Sequence, residues 1–189
     1  MPGRGGAAHD GEKSMKTDRP KIINKYQLFI GLVVLALGTL VYLVDRPPDQ
    51  TYFVSESRVD ISLHEKVPGL FGRIGRSLPT FTHVFAFILI TAGLMNCRKR
   101  GCLIITVFWF AVDSLFEIGQ KFSDTAVNLV PSWFSEIPFL ENTDNYFKTG
   151  TFDWIDMATI LLGALLAYMV LMRTMDAGAP DRPRSLQKY

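Results

Sequence analysis

Asp113, Glu117 and Gln120 stand in "AVDSLFEIGQKF" (residues 111–122) at i, i+4 and i+7, on one face of a helix. Directly ahead runs "LIITVFWF" (103–110), as apolar as a lipid-facing segment. An uncompensated carboxylate at the centre of a membrane span costs roughly 2.5–3.5 kcal/mol. Asp113 is therefore expected to face protein or water, and its spacing carries Glu117 inward with it. Both lie toward the end of their helix, where the macrodipole disfavours negative charge. They call for a counterpart: a proton, a cation, or a cationic group on a ligand.

Two other apolar segments carry ionisable groups near the same end. His83 follows Pro79, a proline suited to the first turn of a helix, with Ser77 before it. Asp153 and Asp156 open the segment that starts at Trp154. If Pro79, Lys121 and Phe152 mark the ends of three spans, then His83, Glu117 and Asp156 all lie about 6 Å deep, with Asp113 at about 12 Å. Asp153 and Gln120 sit just above. The set His83, Asp113, Glu117, Gln120, Asp153 and Asp156 is thus the candidate ligand-binding layer.

Such a layer has three chemical uses. One histidine with several carboxylates could hold a hard divalent cation. The same groups could exchange protons, a carboxyl donating and His83 accepting. They could also bind a polar head group through hydrogen bonds and charge. Each residue has a plainer reading too: Asp153 and Asp156 as helix caps, Glu117 paired with Lys121 at i+4, Asp113 protonated against a neighbouring helix, His83 structural, and Gln120 a boundary residue. Ser114 lies off the carboxylate face, so no nucleophile with a base at evident spacing appears, and there is no glycine-rich phosphate loop.

These residues are positioned by segments of membrane-spanning length. Of 189 residues, 48% are hydrophobic, and they are bunched into four runs near the roughly 20 residues a span requires: about 26–44, 78–96, 103–120 and 154–172. The predicted fold is an all-α integral membrane protein with four transmembrane helices over residues 22–175. Residues 1–21 read as a disordered leader containing His9, and 176–189 as a tail. "VYLVDRPP" offers no small-x-small cleavage site, so the first run is expected to remain as an anchor. Thirteen of the 20 Lys and Arg residues flank the first span, the last span and the turn Arg98–Arg100. The positive-inside rule predicts cytoplasmic termini and two outer loops.

The first outer loop contains the strand-like "TYFVSES", a solvated His64 and an interfacial "VPGLFGRIGRSLP". The second, "NLVPSWFSEIPFLENTDNYF", is broken by Pro131 and Pro138 yet dense in aromatics, as an interfacial or re-entrant piece or a lid would be. Gly31, Gly38, Gly93, Gly163 and Ala167 read as sites of close helix packing. The basic clusters read as membrane flanks, giving no case for nucleic acid. Cys97 and Cys102 bracket the cytoplasmic turn and read as free thiols.

Within residues 78–170, His83 with Phe87, the E-x-x-Q of Glu117 and Gln120, and Asp156 with Gly163 resemble the VanZ-like membrane proteins. Pro79 and Thr80 stand where that family has an Asp-Lys pair, and Ile160 where it has Asn. The resemblance implies a bacterial inner-membrane protein linked to the cell envelope, whose namesake is associated with resistance to teicoplanin-type glycopeptides. The implied partner is a lipid-linked or glycopeptide-like ligand. Two alternatives stand beside it: a metal-assisted enzyme acting on a lipid head group, with a divalent cation as cofactor, and an accessory subunit with membrane-protein partners.

Overall fold

The structure, a computed structural model, describes residues 23–45, 71–137, 140, 141 and 143–175, without the side chains of residues 73, 74 and 76. The leader, the tail, His9, His64 and the strand-like "TYFVSES" lie outside the described residues. Four long helices form: α1 (Lys25–Asp45), α2 (Gly72–Met95), α3 (Lys99–Lys121) and, after two short helices, α6 (Trp154–Thr174). Each is long and apolar enough to cross a membrane. The chain is a multi-pass membrane protein with an all-helical fold. The short helices are α4 (Ser123–Leu129) and α5 (Thr143–Thr149), with a 3-10 turn at Ser132–Glu136 between them.

α2 is the centre of the bundle. It packs on α1 along one side and on α6 along another, while α3 leans mainly on α6 and touches α2 less extensively. Its Val84, Ala86, Ile88, Leu89 and Ala92 are fully buried. The large apolar side chains of α1, α3 and α6, such as Phe29, Leu37, Phe108, Leu115, Leu161 and Leu165, point outward. That arrangement suits a bilayer, where lipid solvates apolar groups as well as protein does and association rests on close packing. Small residues supply it. A Cβ on Gly31 would lie 3.1 Å from the Ala86 carbonyl oxygen of α2, and one on Gly163 would lie 3.0 Å from that of Phe81.

One end of the bundle is tied by backbone and amide groups. Asn24 donates its N–H to the Gly93 carbonyl (2.8 Å) and its side-chain amide to the Thr174 carbonyl (3.3 Å). Gln27, 2% exposed within an otherwise apolar helix, donates to Thr174 Oγ1 at 3.0 Å. The starts of α1 and α3 and the ends of α2 and α6 therefore share this end with the Arg98–Arg100 turn. The polar layer occupies the other.

The span boundaries match the sequence reading within a few residues, but the helix that carries the second span starts earlier than expected. That helix begins at Gly72, and Pro79 lies inside it rather than at its first position. The proline ring presses on the residue four positions earlier. Here that residue is Gly75, whose carbonyl loses its helical donor and which is buried against Asp45. Asp45 in turn accepts the Phe71 N–H at 3.2 Å, tying the end of α1 to the start of α2.

Candidate functional site: a polar layer at the end remote from the basic turn

The added turns of α2 change which groups meet. In the antiparallel α2–α3 pair, Trp109 Nε1 donates to Thr91 Oγ1 at 3.0 Å, and one turn along α3 toward the end remote from the basic turn His83 Nδ1 lies 3.1 Å from Asp113 Oδ2. His83 is thus level with Asp113 and not with Glu117, correcting the depth inferred from Pro79. The side chain of Asp113 is 11% exposed and that of His83 48%, so the pair is accessible through its imidazole. Phe87 lies against the imidazole at 4.3 Å between ring centroids and against Trp109 at 4.8 Å, forming an aromatic floor.

One turn above, Glu117 is 4% exposed. Its Oε1 accepts the backbone N–H of Asp153 at 2.7 Å, and its Oε2 lies 3.4 Å from the Gln120 amide. A buried carboxylate must find donors. This one takes a donor freed where the chain enters α6, coupling the end of α3 to the start of that helix. The expected Glu117–Lys121 pair does not form. Lys121 Nζ instead lies 5.2 Å from the Phe152 ring centroid and 5.7 Å from that of Trp154, a cation–π arrangement.

Asp153 is the N-cap of α6, its side chain accepting the Ile155 N–H at 2.8 Å, and it is exposed to solvent. The capping reading describes its carboxylate. Asp156, in the first turn, is half-buried and close enough to Glu117 to act on it electrostatically. Gln120 is more than a boundary residue: its amide also donates to the hydroxyl of Tyr146 on α5.

Tyr146 belongs to this layer although the sequence did not assign it there. The aromatic segment folds back so that α5 lies on α3, with Phe147 buried against Gly119 and stacked on Phe116 at 5.5 Å. Tyr146 is thereby held above three carboxylates. Burial first, then the charges of Glu117, Asp113 and Asp156, push its phenol up to about 12, against the Gln120 hydrogen bond. Ser114, read as lying off the carboxylate face, is 8% exposed, its Oγ making no hydrogen bond among the described residues. The signal for Tyr146 was the aromatic density after Pro131.

The layer therefore has two parts: a His83–Asp113 pair accessible through its imidazole, and a roofed network of Glu117, Gln120 and Tyr146 with Asp156 beside it. Among the described residues no three His, Cys, Asp or Glu side chains gather closely enough to hold a metal ion. The divalent ion considered from composition has no preassembled ligand set there. No protein-family model, curated protein or solved structure matches this chain.

Proposed function

We propose that this chain is a VanZ-like protein of a bacterial inner membrane, with the polar layer opening to the outer leaflet and binding a lipid-linked or glycopeptide-like ligand. The observation that carries the reading is the convergence of α2, α3, α5 and α6 on one ionisable layer, through the His83–Asp113 and Glu117–Asp153 contacts. Intramembrane ionisable groups are costly and mark ligand or proton sites by default. The layer is rich in carboxylates, and its nearest lysine is turned onto aromatic rings. Its natural complement is an amine or another cluster of donors on the ligand. The thirteen basic residues that flank the first span, the last span and the Arg98–Arg100 turn support the outward orientation.

The His83–Asp113 hydrogen bond favours a second reading. A carboxylate that orients an imidazole prepares it as a general base, here for a reaction on a lipid head group. Glycopeptide susceptibility of cells expressing the chain tests the first reading. Wild type is expected to raise tolerance to a teicoplanin-type compound, and Asp113→Asn to abolish the effect at equal protein level. Equal tolerance with Asp113→Asn and wild type contradicts it.

A further inference from the structure

The opposite end of the bundle carries a second group of ligating side chains, all sulfur. Cys102 Sγ lies 3.6 Å from Met175 Sδ, joining the start of α3 to the end of α6. The same Sγ lies 3.6 Å from the carbonyl oxygen of Cys97, so it is directed back toward that residue. The Cys97 side chain rests over Gly101, where a Cβ would collide with it. It is close enough to Cys102 for the two to interact electrostatically. Both cysteines are free; Cys102 is fully buried, while Cys97 and Met175 are partly exposed.

We propose that Cys97, Cys102 and Met175 form a binding site for a soft monovalent metal ion, copper(I). Two thiols and a thioether are soft donors, which select copper(I) over hard cations. Metal–sulfur bonds of about 2.3 Å at trigonal or tetrahedral angles set sulfurs about 3.7–4.0 Å apart, close to the 3.6 Å between Cys102 Sγ and Met175 Sδ. Binding converts Cu⁺ and two thiols into a bis-thiolate complex with release of two protons, and no electron is transferred. The complex carries one negative charge. It would sit at the positive end of the α3 dipole, beside exposed Arg98, Lys99 and Arg100. The site is independent of the polar layer and of its proposed ligand.

The test is a copper(I) titration of the reduced, full-length protein in detergent against a chromogenic copper(I) chelator. One ion per chain is expected, lost in Cys97→Ser and in Cys102→Ser and held roughly tenfold more weakly in Met175→Leu. X-ray absorption of the loaded protein is expected to show three sulfur neighbours. Because Cys102 is in the core, thermal unfolding is followed for each variant, and Cys97→Ser, at the exposed turn, decides if Cys102→Ser does not fold. Copper(I) retained by a folded Cys97→Ser variant, unchanged affinity in Met175→Leu, or no uptake by wild type would each overturn the site.

Discussion

At the scale of single residues, Glu117 does the most to hold the polar layer together. It is buried, and it accepts an N–H that the start of α6 leaves without a helical partner. Removing the carboxylate strands that donor, which costs about 1–3 kcal/mol. Glu117→Ala is therefore expected to lower stability in detergent by that amount, and Glu117→Gln, which keeps an acceptor oxygen, by clearly less. Thermal unfolding measures both. Tyr146 gives a pH prediction. Its phenol is raised from 10.0 to about 12, so the folded chain holds that proton more tightly than the unfolded chain. The contribution is fully present below pH 10 and is lost as pH rises from 10 to about 12. Unfolding measured across that window should show stability falling less steeply in Tyr146→Phe.

At the scale of elements, the bundle is shaped by what is missing from its inner faces. Gly31 lets α1 approach the α2 backbone around Ala86 and Ile90, and a methyl group there has no flexible neighbour to displace on the carbonyl side. Gly31→Ala is expected to cost about 1–3 kcal/mol through overpacking. Val33→Ala, on the exposed face of the same helix, serves as the control and should stay within about 0.5 kcal/mol. Thermal unfolding of the two variants side by side checks the contrast. The element boundaries show what sequence could and could not convey. Apolar runs of nearly 20 residues located all four spans, because burial in lipid imposes length and composition directly. The start of α2 was misjudged because a proline is favourable at a helix start and tolerated inside one, so Pro79 does not by itself mark the first turn.

At the scale of the molecule, the chain has two chemically distinct ends. One gathers sulfur, amides and basic residues; the other gathers carboxylates, a histidine and an aromatic roof. That Asp113 and Glu117 face inward was legible from their cost in lipid. Their separate partners were not, since the pairing of His83 with Asp113 depends on the register between two helices, which no local pattern encodes. Tyr146 reaches the layer only because a segment more than twenty residues after α3 begins its last turn folds back upon that helix. Lipid mass spectrometry of the protein purified from native membranes tests the central claim, that this layer is a binding site, most directly. Wild type is expected to retain a polar, amine-bearing lipid or lipid-linked species that folded His83→Ala and Glu117→Gln variants release. Identical bound-lipid profiles in all three would contradict it.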